Sequence, residues 1–257
     1  MTHILVDSDC LPAADLAACI AAANRALGKW APAWGIVPLI TSDATLPFNR
    51  VAHITDLHRH TSALGYHTVE AGIQLYHADG THTVVPAPEG LPVGGEPTSY
   101  ISPSALLHNI YGTYTAPHWS VALWNLARTK ITRAAKQTSP ARYREGIVTV
   151  LVHELMEMLA DSYIDTVSSP DSTGAAWLIE VADHVSGTYY LDTTDPLHPC
   201  IISGATFPSY YSLKGIKPFD TCEFCTTPFD TTSPTFYGYI KSAAGALIKI
   251  VKGSIHH

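Results

Sequence analysis

The order of hydrophobic patterns along the chain predicts an α+β fold. An Ala-rich helical segment comes first, short β-type runs follow it, further helical segments come next, and short strands end the chain. Helices and strands that do not alternate regularly are typical of α+β domains. The chain has 257 residues, of which 46% are hydrophobic, and this is enough to bury a substantial core. We expect one domain over residues 1–215 and a C-terminal extension over residues 216–257.

Three helical segments are predicted, at residues 13–27, 119–137 and 141–160. In the first, apolar side chains recur at helical spacing, and Gly28 follows at a position typical of a helix end. The third has the sequence ARYREGIVTVLVHELMEMLA and is apolar on nearly every face. A helix of that composition is expected to be buried.

Short β-type runs before and after the third helix predict the strands. Asp79-Gly80 is a hairpin turn signal between two of them. Residues 86–104 are rich in Pro and Gly and are predicted to form a surface loop. The expected strands are Gly35–Ile40, Val51–Thr55, Val69–Tyr76, His82–Val85, Trp177–Val181, Thr188–Leu191, Ile201–Ile202, Thr206–Tyr211 and Ala243–Val251.

Composition and charge exclude several classes of protein. With 15 Lys+Arg against 22 Asp+Glu, a nucleic-acid partner is not expected. No run approaches the roughly 18 apolar residues of a membrane helix, so no membrane partner is expected either. The first ten residues include Asp7 and Asp9 and lack a basic segment, so they do not predict a signal peptide. We expect synthesis in the cytosol.

The third helix carries the motif His153-Glu154-Leu155-Met156-Glu157. Residues four apart lie on one face of a helix, so His153 and Glu157 can point at the same atom. An imidazole and a carboxylate that converge in this way are ligands for Zn²⁺ or another divalent cation. Glu154 is suitably placed to act as the general base on a water molecule. The pattern is that of H-E-x-x-H zincins with Glu in place of the second His.

The scarcity of Glu strengthens this interpretation. The chain has eight Glu, and two of them lie in this otherwise apolar helix. A buried carboxylate needs a cation or hydrogen bonds, and residues 145–213 contain no Lys or Arg. A metal ion is the simplest compensating charge, with Asp161 as an outer hydrogen-bond acceptor.

A third ligand is expected from the stretch Trp177–His184. Glu180, Asp183 and His184 all have suitable donor atoms, and the sequence does not choose among them. If the stretch is helical, Glu180 shares a face with Asp183 or His184. The alternative is an acidic pair that caps the next element.

The block HELMEMLADS resembles the H-E-x-x-E-M-L-A-D-P segment of a bacterial and phage family of uncharacterised zincin-like proteins. That family has a second segment, E-x-x-D, which is matched here by Glu180-Val181-Ala182-Asp183. Exordium-type proteins of plants carry a related pair at greater distance. The resemblance covers about residues 10–215, and further similar stretches are Trp30–Gly35, Ala63–His67 and Ile202–Tyr211.

The resemblance implies a zincin-like fold in which the metal-site helix packs on a mixed β-sheet, with short strands near the C-terminus. It also implies that Glu180 and Asp183 lie at or near the metal ion. The chain departs from the family in three places: Ser162 replaces Pro, residues 114–146 are expanded, and the tail after about residue 215 has no counterpart.

Two functions are consistent with these features. The first is a metallopeptidase-type hydrolase that acts on a peptide or protein, with an oxyanion-stabilising group among Tyr163, Tyr189 and His184. The second is a non-catalytic structural protein of a phage particle, a virion or tail component that retains a zincin-like fold. In either case the alternating tail, residues 237–257, is suited to pairing with a protein partner or with a second copy.

Three weaker signals remain. His67 lies in a family-like stretch and is a candidate for contact with the site, whereas the other His of residues 56–67 are expected on a surface loop. Cys222 and Cys225 have the spacing of a metal knuckle, but one C-x-x-C without a second pair is weak evidence for zinc, and a disulfide or two loop thiols are favoured. The basic segment 128–144 is expected to be a solvated face.

Overall fold

The computed structural model describes residues 2–55, 65–68, 73–76, 82–85, 97–101, 146–162, 166–196, 199–233, 236–241 and 247–251. Within them the chain forms two α-helices, α1 (Ala13–Trp30) and α2 (Ile147–Ala160). The strands are β1 (Thr2–Ser8), β2 (Pro38–Thr41), β3 (Arg50–Ile54), β4 (Gly65–Thr68), β5 (Ile73–Tyr76), β6 (His82–Val85), β7 (Thr98–Ile101), β8 (Ala176–Trp177), β9 (Tyr189–Asp192), β10 (Cys200–Ser203), β11 (Tyr237–Lys241) and β12 (Leu247–Val251).

The largest sheet has the strand order β2-β1-β3-β7-β4. The pairs of β1 with β2, β1 with β3 and β3 with β7 are parallel, whereas β4 pairs with β7 in the antiparallel direction. The connection between the parallel strands β1 and β2 contains α1, as parallel pairing requires. The molecule is therefore a mixed α+β fold.

Both helices lie on the same face of this sheet and pack against each other. Alternate residues of β1 and β3 point to that face, and Ile4, Val6, Ala52 and Ile54 all belong to the hydrophobic core. The intervening residues face the other way, among them His53, whose ring is hydrogen-bonded to Asp7 and stacks on Tyr100. The helix side of the sheet therefore contains the main core.

The C-terminal part of the chain joins this core. β11 pairs with β8 and with β12, which gives a three-stranded sheet of order β12-β11-β8. Phe219, Cys225 and Phe236 are buried in the same hydrophobic cluster as α1 and α2. β9 and β10 form a separate antiparallel pair, and β10 packs against α2. The segment expected as an extension thus contributes both strands and core residues.

Several predicted elements are confirmed. The helix expected at residues 13–27 is α1, and the buried helix is α2. The strands expected at His82–Val85, Val51–Thr55, Thr188–Leu191 and Ile201–Ile202 correspond to β6, β3, β9 and β10 within about one residue at most boundaries. The helix expected at residues 119–137 and most of the segment 114–146 lie outside the described residues.

Other predictions were wrong in part. The loop expected at residues 86–104 contains β7 (Thr98–Ile101), a buried strand inside the main sheet, because the Pro and Gly signal ends before Thr98. The residues expected as a strand at Thr206–Tyr211 form no strand: Thr206 makes an isolated bridge to Asp220, and Pro208–Tyr211 is a 3₁₀ helix that begins at a proline. Of the strand expected at Val69–Tyr76, residues 73–76 are described and form β5, and β4 precedes it as a separate strand.

Neither described helix is both long enough and apolar enough to cross a membrane.

The C-terminal end of α2 is held by a side chain from the sheet. The Arg50 guanidinium donates to the hydroxyl oxygen of Ser162 and, at 3.5 Å, to the carbonyl of Met158, while the Ser162 hydroxyl donates to that same carbonyl at 2.7 Å. A cation at this end also compensates the negative end of the helix dipole. A proline at position 162 could not form these hydrogen bonds, because it has no hydroxyl group.

Replacing Arg50 by Met should destabilise the fold while keeping most of the apolar contact area. We expect a loss of about 1–2 kcal/mol in the free energy of unfolding, because the charged hydrogen bonds and the dipole interaction disappear. Denaturant unfolding followed by circular dichroism measures it. Lys29→Met is the control, since its ammonium is more than half exposed and pairs with Asp192 at 3.6 Å. Equal stability of R50M and K29M would contradict the prediction.

Candidate metal centre

The N-terminus of α2 is hydrogen-bonded to the neighbouring strand β10. The amide of Gly146 donates to the hydroxyl oxygen of Thr149 at 3.1 Å, and the Thr149 hydroxyl donates to the carbonyl of Ile201 at 2.8 Å. From Ile147 to Leu159 the residues of the helix are buried, with the exception of His153, which keeps a small exposed fraction. The helix is therefore buried, as its apolar composition predicted.

His153, Glu157 and Asp183 bring three ligand atoms to one point. Each of the three offers an atom within 4.8 Å of the other two. The His153 Nε2 atom lies 3.6 Å from Glu157 Oε1 and 3.2 Å from Asp183 Oδ1. The first pair follows from the four-residue spacing in α2, and the second brings in a segment 30 residues further along the chain.

Two of these separations are close to those in a tetrahedral metal site. Zinc bonds of about 2.0–2.2 Å to nitrogen and carboxylate oxygen place neighbouring ligand atoms about 3.3–3.6 Å apart. One imidazole and two carboxylates also suit manganese or iron, because carboxylate oxygens favour harder cations than thiolates do. The donor set therefore fits a divalent cation with one position left for water.

The second ring nitrogen of His153, Nδ1, has a hydrogen-bond partner that leaves Nε2 available for a metal ion. The Ser203 hydroxyl donates its hydrogen to the carbonyl of Gly204 at 3.2 Å, so its oxygen can accept from His153 Nδ1, also at 3.2 Å. With Nδ1 as donor, the lone pair of a neutral ring lies on Nε2 and faces Glu157 and Asp183. A hydrogen bond of this kind fixes the tautomer of metal-binding histidines.

The charges around His153 favour a cation at this point. Burial disfavours the imidazolium, but Glu157, the hydrogen bond to Asp183 and the charge of Glu154 outweigh it and raise the pKa of His153 well above its ordinary value. The cluster thus attracts a positive charge strongly enough to protonate the ring when nothing else supplies that charge. A divalent cation bound to Nε2 supplies it instead.

Asp183 is positioned by α2 and by its own short helix. Its backbone amide donates to Glu157 Oε1 at 3.1 Å, and it begins a 3₁₀ helix, Asp183–Val185. Glu180 lies three residues earlier and is buried, but its carboxylate is not among the three groups that converge. Of the three candidates for the third ligand, Asp183 is therefore the one whose carboxylate lies close to both His153 and Glu157.

His184 has its ring turned away from the cluster. Its Nδ1 atom lies 2.8 Å from the Tyr211 hydroxyl, and its Nε2 atom faces the Cα atom of Gly238. Burial lowers the pKa of His184 to about 4 against the opposing charge of Asp183, so the ring is neutral near pH 7. The neighbouring residues Asp183 and His184 thus point in different directions.

Glu154, the expected general base, is buried between α2 and the antiparallel strand β4. A Cβ atom at Gly65 would lie 2.8 Å from Glu154 Oε1 and 2.6 Å from Val150 Cγ1, so only glycine leaves room for this carboxylate. Glu154 is also close enough to His153 for its charge to raise the pKa of the ring. The expected base therefore adjoins the cluster without belonging to it.

Two tyrosines that the sequence did not single out adjoin the same carboxylates. Burial raises the pKa of Tyr211 well above its ordinary value, and the charges of Glu180 and Glu157 act in the same direction. Burial, the hydrogen bond to Tyr239, and the charges of Asp183 and Glu180 raise the pKa of Tyr237. Both phenols keep their protons near pH 7 and can donate hydrogen bonds.

A signal for Tyr211 existed in the sequence, because it ends the family-like stretch Ile202–Tyr211. Tyr237 had none, since the pairing of β11 with β8 joins segments 60 residues apart. Of the three suggested oxyanion-stabilising residues, His184 is turned away, Tyr189 lies half-buried on β9, and Tyr163 lies outside the described residues.

The other candidate groups are arranged as follows. Asp161 is buried and accepts a hydrogen bond from the amide of Thr166 at 3.0 Å, so its outer-shell role stays a prediction. The backbone of His67 lies in β4, directly beside Gly65 and Tyr66, but its side chain is outside the described residues, as are residues 56–60 and the basic segment 128–144.

The C-x-x-C turn is organised by a carboxylate rather than by a metal. Asp220 is fully buried and accepts from the amides of Cys222 and Cys225, both at 2.7 Å, and from that of Phe224 at 3.1 Å. Burial and the charge of Asp220 raise the pKa of Cys225. All five cysteines lie in the described chain and none forms a disulfide.

No known protein family, curated protein or solved structure shows a significant match to this chain.

Asp183→Asn should weaken zinc binding, whereas Glu180→Gln should leave it within a few-fold of the unchanged protein. The first substitution removes a charged ligand atom 3.2 Å from His153 Nε2, and the second alters a carboxylate outside the converging set. Competition with a chelator of known affinity measures the dissociation constant, and elemental analysis the stoichiometry. Stronger loss in E180Q than in D183N would identify Glu180 as the ligand.

Proposed function

We propose that this protein binds zinc, or another divalent cation, through His153, Glu157 and Asp183 and acts as a metallopeptidase-type hydrolase. The observation that carries the proposal is the convergence of one imidazole and two carboxylates within 4.8 Å in a largely buried setting. Ion pairs of this composition exist without metals, but here two carboxylate oxygens lie 3.6 and 3.2 Å from His153 Nε2, close to the spacing of ligand atoms in tetrahedral coordination.

A zincin-like fold is part of the same proposal. It is supported by α2, which carries the H-E-x-x-E motif and packs on a mixed sheet, and by the E-x-x-D segment, whose Asp183 reaches Glu157. The antiparallel strand β4 lies against the same helix beside Glu154.

Each residue has a distinct task in the proposed reaction. A divalent cation at this point would polarise a carbonyl group and lower the pKa of a water molecule. Glu154 accepts the proton of the attacking water, for which a buried carboxylate beside the ligand cluster is suitable. His153, Glu157 and Asp183 hold the cation, and Ser203 fixes the ring of His153.

The protonated phenols complete the proposed site. Tyr237 is partly exposed and adjoins Asp183 and Glu180, so it can donate a hydrogen bond to a substrate oxygen that becomes negative during the reaction. Tyr211 is fully inside the protein and is bonded to His184 and Thr206. It therefore supports the loop that carries the carboxylates rather than contacting a substrate.

Glu154→Gln separates catalysis from metal binding. We expect zinc content and melting temperature to be retained, because the amide is isosteric and the three ligands are unchanged. Turnover of a fluorescently labelled unfolded protein should fall about 10²- to 10⁴-fold with the loss of the general base. Full turnover in E154Q would contradict the assignment. Stoichiometric zinc without any turnover by the unchanged protein would favour the structural alternative, in which the metal only stabilises the fold.

Gly65→Ala tests the position of the Glu154 carboxylate. The new methyl group would lie 2.8 Å from Glu154 Oε1, so that carboxylate must move. A displacement of about 1 Å can lower turnover by about 100-fold. Zinc affinity should change little, because no ligand contacts Gly65. The matched control is Gly28→Ala, whose Cβ would meet nothing within 4 Å. Turnover should be measured well below the melting temperature of each variant, and unchanged turnover in G65A would contradict the prediction.

A further inference from the structure

The ring of His184 is surrounded by aromatic side chains. In sequence, His184 directly follows the proposed ligand Asp183. Its ring stacks on Phe236 at 5.3 Å between centroids and on Tyr210 at 5.7 Å, and it meets the edge of Trp177 at 5.6 Å. The residue has no exposed surface. The position of the His184 ring is therefore fixed by contacts on several sides. An imidazole could also bind a metal ion, but this one is held by aromatic contacts.

The hydrogen bonds around Tyr211 determine which ring nitrogen carries the proton. The Thr206 hydroxyl lies 3.1 Å from the carbonyl of Val181 and 3.1 Å from the Tyr211 hydroxyl, which in turn lies 2.8 Å from His184 Nδ1. The Thr206 hydroxyl has one hydrogen, which can go either to Tyr211 or to Val181. If Nδ1–H donates to Tyr211, the Thr206 hydrogen goes to Val181 and the Tyr211 hydroxyl donates to Thr206. Every hydrogen in this chain then has an acceptor.

The other tautomer is less favourable. It would place the hydrogen on Nε2, which is buried and has no hydrogen-bond partner among the residues that the structure describes. It would also leave only two of the three hydrogen bonds. A buried N–H without an acceptor is rarer in proteins than a lone pair without a donor, because the lost hydrogen bond costs the full desolvation energy. The Nδ1–H form is therefore the one that fits the site.

The unprotonated Nε2 faces the backbone of β11. A Cβ atom at Gly238 would lie 2.7 Å from Nε2 and 2.8 Å from Cδ2 of His184, so a side chain at this position would force the ring to move. β11 is fixed in turn by its pairing with β8 and by the hydrogen bond from the Leu178 amide to the Tyr239 carbonyl, 2.9 Å long. Gly238 thus allows a late strand to approach the ring closely.

We propose that His184 is a positioning residue for the metal ligand Asp183, and that the C-terminal strand β11 is thereby part of the metal centre. In its Nδ1–H form, held between Tyr211 and Gly238, the ring fixes the 3₁₀ helix that starts at Asp183. This inference rests on the proposed metal-binding function. It assigns a role to a histidine that is adjacent to a ligand in sequence and yet does not bind the ion.

The tautomer can be observed directly. Long-range ¹H–¹⁵N correlation spectra of uniformly ¹⁵N-labelled protein distinguish a protonated from an unprotonated ring nitrogen, and the spectrum of His184→Phe assigns the signal. We expect a protonated Nδ1 and an unprotonated Nε2 for His184, in both metal-free and zinc-loaded protein. A protonated Nε2 in both forms would overturn the inference, whether or not zinc binds.

Gly238→Ala tests the coupling to the metal. We expect zinc affinity to fall about 10- to 100-fold, the range for residues that orient metal ligands. Ile240→Ala on the same strand is the control, since it removes core packing without pressing on His184. It should lower the melting temperature and leave zinc affinity unchanged. If G238A also lowers only the melting temperature, His184 is merely structural and the inference fails.

A double variant links the effect to the ring itself. His184→Ala makes room for the new methyl group, so the drop in melting temperature caused by Gly238→Ala should be much smaller in that background. Equal drops in both backgrounds would contradict the contact. Failure of the unchanged protein to bind zinc would instead contradict the proposed function, while the tautomer and the double variant would still report on the position of His184.

Discussion

The burial of several carboxylates around one helix is the constraint on which the rest of this structure depends. Glu154, Glu157, Glu180 and Asp183 are all at least nine-tenths buried, and residues 145–213 contain no Lys or Arg. An isolated buried carboxylate costs several kcal/mol even after the protein relaxes. The charges of Glu157, Glu154 and Asp183 act on the imidazole of His153, and the resulting field favours positive charge at its Nε2 atom.

The same lone pair of His153 can bind either a proton or a metal ion. With a proton, the ring forms ion pairs with Glu157 and Asp183, and the cluster is compensated before any metal arrives. With a metal, the ring must be neutral, and the bond from Nδ1 to Ser203 already selects the required tautomer. The three side chains therefore converge without a metal ion, and a bound metal ion would replace the proton on Nε2.

The sequence predicted the part of the site that a single helix defines. The spacing of His153 and Glu157 needs only the periodicity of α2, and the scarcity of Glu indicated which carboxylates mattered. The choice among Glu180, Asp183 and His184 depended on a short 3₁₀ helix and on the Glu157 carboxylate that accepts its amide. Neither the 3₁₀ helix nor this contact is indicated by a local pattern in the sequence.

The strand β7 was missed for a related reason. Its four residues follow a Pro- and Gly-rich run and are too few to show the pattern of a central strand.

The role of the C-terminal segment could not follow from sequence at all. Its alternating residues suggested an edge available to a partner, whereas β11 pairs within the chain with β8 and approaches His184 through Gly238. Closing a loop of about 60 residues is entropically costly, although the cost grows only slowly with length. Burial of Phe236 against the ring of His184 offsets it. A glycine in a strand is normally a weakness, and at position 238 it is what permits the last part of the chain to reach the carboxylate loop.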